Sequence, residues 1–337
     1  MTSKQLVKNA IHFKGIDRVP INFNISEVIS PISYDDDIIW ASLDPNPDFT
    51  ARNSNNKRYE NEWGVVFESI NTAIGEAAIS PIKSPEDIAD YEIPDLGAAY
   101  RFETAKKTVY DNPDKYVLGV LGASNTAAML FMLLLDLFGF EECMLNLALY
   151  QEEVEGLISR ITDQHIRSIE GFAKAGVNGI IAGDDLGLQD RLIISPDMWR
   201  AMFKPYYKKI IDAAHRNNLD MMLHICGNIT EIIEDLIEIG LDVLQIDQQD
   251  NMGIEILGER YKGRITFFCP VDIQTTLCTG ELDKIKEKAI QLLNCFGSSE
   301  GGFLSCQDVS SAQLYWNQQR EHGNHVQDIY RVWKVLR

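Results

Sequence analysis

His224 and Cys226 are separated by one residue at the end of the β-type run 221–224, and Gly227 and Asn228 follow them. In an extended segment residues two apart point to the same side, so imidazole and thiol face one point. Gly227 lets the chain turn away sharply, and Asn228 can cap the helix that follows. Imidazole and thiolate are zinc donors, and a third soft donor would complete a catalytic set that leaves one coordination position open. Cys306, at the end of another β-type run, is that candidate. His224, Cys226 and Cys306 are therefore the expected metal ligands, with Cys269 as a further candidate.

Other polar residues follow β-type runs in the same way. Asp184 and Asp185 are expected as pocket carboxylates, one orienting substrate, acting as a general base or adding a metal ligand. Asp247, Asp272 and Gln274 are expected either to contact substrate or to orient the residues that do. Cys143, Cys278 and Cys295 fall in helical or loop patterns and read as structural. His12, His165, His215, His322 and His325 have no partner pattern and read as ordinary fold residues. The aromatic residues Trp63, Phe67, Trp199, Tyr206 and Tyr207 read as core or rim packing.

The elements that must position these groups alternate. β-type runs at 179–182, 221–224, 243–246, 265–268 and 302–305 are separated by helical patterns at 195–217, 230–239, 254–261 and 282–296. Ser195 and Pro196 open the first of these helices as cap and first residue, and Gly240 stops the second. Helices also fill 133–175, broken near Gly139 and Tyr150. Alternation of this kind makes βαβ units and a parallel sheet. No G-x-G-x-x-G follows any strand, which removes the main support for an open dinucleotide-binding sheet. Runs at 19–22 and 117–121, with 63–67 as a strand or part of a hairpin, bring the strand count to about eight, the number a (β/α)8 TIM barrel requires. The proline-rich stretch 31–100 is expected as an irregular excursion over one end, and residues 1–337 as a single domain. In a barrel all the strand-end residues above converge on one face, where barrel active sites lie.

The whole-chain chemistry excludes some partners. A net charge of −19 and a pI near 4.7 argue against nucleic acid and anionic membrane surfaces. The most apolar run, 127–136, is far short of the roughly 20 residues a membrane span needs and ends on Asp136. The start shows no apolar stretch of secretory length, and six cysteines spread over 337 residues do not form a disulfide pattern. A cytoplasmic protein with reduced thiols is expected.

At Asp17–Pro20 (reading D-R-V-P), Gly183–Gly187, Ser195 with Pro196, His224–Asn228, Val271–Gln274 and Gly301–Phe303, the chain resembles the uroporphyrinogen decarboxylase superfamily of (β/α)8 barrels. True decarboxylases carry an arginine-rich amino-terminal segment that grips tetrapyrrole propionates, whereas residues 18–24 here hold Arg18 alone. The resemblance is therefore to the corrinoid-linked zinc methyltransferases, whose His-x-Cys…Cys motif falls on His224, Cys226 and Cys306. The surroundings of Cys306 depart from the family's glycine-rich context. The resemblance implies Zn2+, a corrinoid (cobalamin) partner protein, and methyl transfer to or from a small methoxy, methylamine or thiol compound. The Asp184–Asp185 pair inclines the reading toward O-demethylation, because a carboxyl near the leaving oxygen could supply its proton. The alternatives are a metal-free decarboxylase-like lyase and a non-catalytic corrinoid-binding barrel.

Overall fold

The structure, a computed structural model, describes residues 1–23, 35–49, 58–68, 76–122, 128–272, 274–279 and 281–306. Asp308, His322 and His325 lie outside them. Its strands are β1 (Ile21–Asn22), β2 (Ile38–Ala41), β3 (Arg58–Glu60), β4 (Val66–Glu68), β5 (Glu76–Ile79), β6 (Tyr116–Val120), β7 (Gly179–Gly183), β8 (Asp220–His224), β9 (Val243–Gln245), β10 (Thr266–Cys269) and β11 (Phe303–Cys306). Its helices are α1 (Ser3–Ile11), α2 (Asp87–Asp90), α3 (Glu103–Asp111), α4 (Phe131–Phe138), α5 (Phe140–Leu149), α6 (Gln151–Ala175), α7 (Pro196–Met202), α8 (Lys204–Arg216), α9 (Ile233–Glu238), α10 (Gln249–Met252), α11 (Ile254–Tyr261) and α12 (Leu282–Phe296).

Eight strands run parallel in the order β1-β11-β10-β9-β8-β7-β6-β2, so the fold is the expected (β/α)8 barrel. Asp37 bridges β1 and β2, where the sheet closes. The Ile21 N–H donates to its carboxylate at 3.0 Å, and its own N–H donates to Ile21 O at 2.9 Å. Arg18 grips the same carboxylate through two nitrogens, at 2.5 and 2.6 Å. The lone arginine of the amino-terminal segment thus closes the barrel at its amino end.

Inward-facing residues follow the two-residue period of a strand. Ile38, Leu118, Ile181, Met222, Val243, Phe268 and Leu304 fill the barrel, and Val7, Ala10 and Ile11 of α1 stop its amino end from below. Each such side chain contributes roughly 1.5–3 kcal/mol by leaving water. The opposite parity, including Val117, Ile180, Leu223, Leu244, Phe267 and Phe303, packs against the helices outside. One layer above Ile38, Leu118, Met222, Val243 and Leu304, at the carboxyl ends, stand Trp40, Val120, His224, Gln245 and Cys306.

Some sequence expectations need correction. A barrel strand, β2, lies inside the stretch expected to be irregular, and 63–67 takes the hairpin alternative, outside the barrel. Trp63 sits in a turn held by Asn61, whose Oδ1 accepts the Trp63 and Val65 N–H groups at 3.0 Å each. The turn leads into β4, the centre of a separate antiparallel sheet with β3 and β5. That excursion leaves the carboxyl end of β2 and is tied back by Arg101, which pairs with Glu62 and donates to Asp95 O at 2.6 Å. The helix expected over 195–217 is two, α7 and α8, because Pro205 lacks the N–H that would bond to Ala201 O. The helix expected from 230 begins at Ile233, since Asn228 Oδ1 holds Thr230 in a preceding turn, accepting its N–H at 3.1 Å.

His165 is fully buried in α6, with Nε2 donating to Met129 O at 2.7 Å, and burial pushes its pKa down to about 4. The fold therefore favours the neutral ring. That stabilisation is complete above the ordinary value of 6.5 and is lost as the pH falls toward 4. The full span is worth on the order of 3 kcal/mol. Urea unfolding between pH 7 and 5 is expected to show stability falling with acid in the parent, and a shallower fall in His165→Gln. Equal slopes would remove His165 as the cause.

Candidate metal centre

Two loops that leave neighbouring strands are joined at the barrel mouth. The Gly187 N–H donates to Cys226 O at 3.1 Å, and the Asn228 N–H donates to Leu188 O at 2.7 Å. Gly227 adopts φ +80°, and a Cβ there would stand 2.1 Å from Gly187 O. Only glycine allows this crossing, and it fixes the segment that carries Cys226 against the segment that carries Asp185.

His224 Nε2 lies 3.3 Å from Cys226 Sγ and 3.6 Å from Asp185 Oδ1. The Cys226 N–H donates to the same carboxylate oxygen at 3.1 Å. One donor atom from each of Asp185, His224 and Cys226 lies within 4.8 Å of the others, the group of this kind among the described residues. In tetrahedral zinc, with Zn–N about 2.0–2.1 Å and Zn–S about 2.3 Å, adjacent donors stand roughly 3.3–3.8 Å apart. The two separations from His224 Nε2 fit that ion. The electrostatics of the three residues fit it too. Burial, and then the carboxylates of Asp185 and Asp247, push the Cys226 thiol well above its ordinary range, so a cation would relieve the repulsion that opposes the thiolate.

The imidazole is oriented by Gln245, a residue that the sequence reading missed. Gln245 pairs with His224 in the strand register, and its Oε1 accepts from His224 Nδ1. That hydrogen bond fixes the tautomer and leaves the Nε2 lone pair facing Cys226. The amide nitrogen of Gln245 donates to Asp247 Oδ1 at 2.6 Å and approaches Cys306 Sγ at 3.8 Å. Cys306 is therefore at the mouth, at the other end of the Gln245 carboxamide, and the third member of the close group is Asp185. Replacing Gln245 with leucine is expected to weaken zinc binding roughly 10- to 100-fold. A competition titration against a chromophoric chelator would measure this, and an unchanged affinity would show that the amide does not orient the ring.

The two adjacent aspartates separate. Asp185 shares the inward parity of Ile181 and Gly183, whereas Asp184 turns the other way and is completely buried. The Asp184 carboxylate accepts N–H groups of Leu130, Phe131 and Met132 at 3.2, 2.9 and 2.6 Å, and the Tyr207 hydroxyl. It thus holds the first turn of α4, where negative charge is favourable. Burial raises its pKa to about 6 against the pull of those hydrogen bonds. Asp272 is likewise buried, its carboxylate accepting the Gln274, Thr275 and Thr276 N–H groups at 3.1, 2.7 and 3.0 Å. It builds the turn after β10 and places Gln274 at an exposed position.

Cys269 and Cys143 are buried thiols raised by their apolar surroundings, and Cys295 is half-buried. The side chain of Cys278 is outside the described set. His12 and His215 do have partners, Asp220 and Asp242, each at 2.7 Å, at the amino ends of β8 and β9 and away from the mouth.

An eight-stranded parallel barrel with a His-Cys-Asp group at its mouth defines a class of fold and site. The uroporphyrinogen decarboxylase (URO-D) family profile matches residues 69–304, and the chain belongs to that family. Among solved structures it is similar to a methyltransferase from Methanosarcina mazei, with TM-score 0.69 and 16% identity over 99% of both chains. A 2,3-dimethylmalate lyase gives TM-score 0.41 and 10% identity over 99% of this chain and 95% of that one. A D-psicose 3-epimerase gives TM-score 0.41 and 11% identity over 74% and 85%. No curated protein matches the chain. No helix among the described residues is long and apolar enough to cross a membrane.

Proposed function

We propose that this chain is a zinc-dependent methyltransferase that moves a methyl group between a small methoxy, methylamine or thiol compound and a corrinoid carried by a partner protein. The observation that carries the reading is the Asp185–His224–Cys226 group, whose separations of 3.3 and 3.6 Å from His224 Nε2 match a tetrahedral zinc site. Family membership supports it, as does the shared fold with the M. mazei methyltransferase. The position of Arg18 counts against a propionate grip, since its guanidinium is occupied by Asp37 at the amino end of the barrel.

In this reading His224 and Cys226 hold the ion with Asp185 as the third ligand, Cys306 on β11 being the other candidate for that place, and Gln245 orients the imidazole. Zinc supplies a Lewis-acid centre that lowers the pKa of a bound thiol or polarises a methoxy or amine heteroatom. Asp185 keeps the Cys226 backbone in place through its N–H, and Asp247 holds the Gln245 amide. Asp247 and Gln274 are the residues expected to contact substrate. Asp184 is a positioning residue, its carboxylate oxygens occupied by four donors. This removes the paired-carboxylate argument for O-demethylation and leaves the direction of transfer to experiment. Free thiols at Cys143, Cys226, Cys269, Cys295 and Cys306 suit a reducing, cytoplasmic setting.

The test is a methyl-transfer assay with reduced or methylated corrinoid proteins and a panel of methoxylated aromatics, methylamines and thiols, followed by the cobalt absorption spectrum. Turnover with one panel member is expected, and it should be lost in His224→Ala. Corrinoid binding without transfer to or from any of them would favour the binding barrel. Porphyrinogen decarboxylation by zinc-free protein would favour the lyase.

A further inference from the structure

The barrel mouth carries an aromatic surface that the metal ligands do not use. Trp40 is 36% exposed, the one aromatic side chain of a barrel strand among the described residues to reach that level. It shares the inward face of β2 with Ile38. Its indole N–H donates to Asn22 Oδ1 at 3.0 Å, and Asn22 is itself buried, with Nδ2 donating to Ile38 O at 3.0 Å. The ring is therefore fixed by its polar edge and leaves part of its apolar surface open. Asn22 is in register with Cys306, and in the strand order β2 stands three strands round from β8, which carries His224. Trp40 and the metal group thus look across one mouth.

Among the described residues, the segments that contain or leave the carboxyl ends of β6, β8, β9 and β10 (121–122, 128–136, 224–259, 265–272, 274–279 and 281–283) hold no lysine or arginine, and the basic residues of the chain that leaves β2 are Arg52, Lys57 and Arg58. In the loop after β7, Arg191 is exposed and pairs with Asp190. Asp185 approaches His224 at 3.6 Å and Asp247 accepts from the Gln245 amide at 2.6 Å, so both carboxylates stand at the mouth. A ligand bearing carboxylate, sulfonate or phosphate would meet negative charge with no cation from these segments to offset it. A positive group would gain from both the carboxylates and the indole face.

We propose that Trp40 seats the cationic head of the small-molecule substrate: an ammonium group lies on the indole face while the heteroatom that gives or takes the methyl group reaches the Asp185–His224–Cys226 group. The ammonium group is a handle, and no bond to it forms or breaks. The second half of this assignment rests on the methyltransferase reading, and the first half does not.

The experiment is calorimetric binding to the full-length protein, with its zinc content measured, at low salt. The probes are choline, its uncharged carbon isostere 3,3-dimethylbutan-1-ol, and the anion 3,3-dimethylbutanoate. Choline is expected to bind roughly 2- to 30-fold more tightly than the isostere, and the anion to bind least. Trp40→Leu should erase the preference for choline, and Trp40→Phe should retain part of it. Equal binding of choline and isostere by the parent protein overturns the proposal, as does an undiminished preference in Trp40→Leu. The parent comparison needs no variant to fold. Because the readout is neither metal content nor methyl transfer, failure here leaves the methyltransferase reading standing, and failure of that reading leaves this one standing.

Discussion

Cys226→Ser and His224→Ala are each expected to lose bound zinc and, with it, methyl transfer, while the barrel stays folded. The two donors lie 3.3 Å apart on a loop that Gly227 and Gly187 hold in place, so neither can be replaced by a neighbour without moving that crossing. The loss should exceed the roughly 10- to 100-fold that a change in the orienting shell costs. Both side chains sit at the rim rather than in the packed core, His224 being partly exposed to the mouth. Thermal unfolding of the zinc-free forms should therefore match that of the chelator-treated parent. Asp185→Asn and Cys306→Ser, measured beside them for zinc affinity, decide which residue supplies the third ligand. The close group predicts the larger loss for Asp185→Asn.

Asp184→Ala should have the opposite phenotype, a large loss of stability with zinc retained by the molecules that remain folded. The change strands the N–H groups of Leu130, Phe131 and Met132 and the Tyr207 hydroxyl in a site closed to solvent. Each buried polar group left without a partner costs about 1–3 kcal/mol. Some relaxation is expected, and the net change should come to about 3–5 kcal/mol. Urea titration would read it directly. Asp184→Asn keeps one acceptor oxygen and should fall between the parent and the alanine variant. A normal midpoint for Asp184→Ala together with lost activity would return Asp184 to the reacting site.

The carboxyl-terminal two thirds of the fold was legible because each strand and its helix are adjacent in sequence. The boundaries of α11 and α12 coincide with the stretches read from hydrophobic spacing. The amino-terminal third was not legible in this way. β2 is separated from its returning helix, α3, by the excursion that holds β3, β4 and β5, so the local alternation is interrupted where it was needed. Trp63 and Phe67 imitate a core strand because both are buried, but they pack beside the barrel and not in its wall.

At the site, strand-end position brought His224 and Cys226 forward correctly as neighbours, and strand parity separates Asp185 from Asp184 once Ile181 is known to face inward. Gln245 carried no ionisable group to mark it, and its role comes from lying opposite His224 in the next strand. Asp272 reads like Asp185 in sequence, yet it is consumed by its own turn. Such a distinction depends on which backbone N–H groups lie nearby, and a strand-end pattern does not contain it. Trp40 was hidden because its strand, β2, lies in the stretch read as irregular.

The most direct test of the account is the metal content of the protein purified without chelator, by elemental analysis with zinc-edge absorption to identify donors. The account predicts about one zinc per chain, bound by one imidazole, at least one thiolate and one carboxylate oxygen, and lost in Cys226→Ser. Protein that holds no zinc, and takes up none when zinc is supplied, would contradict it.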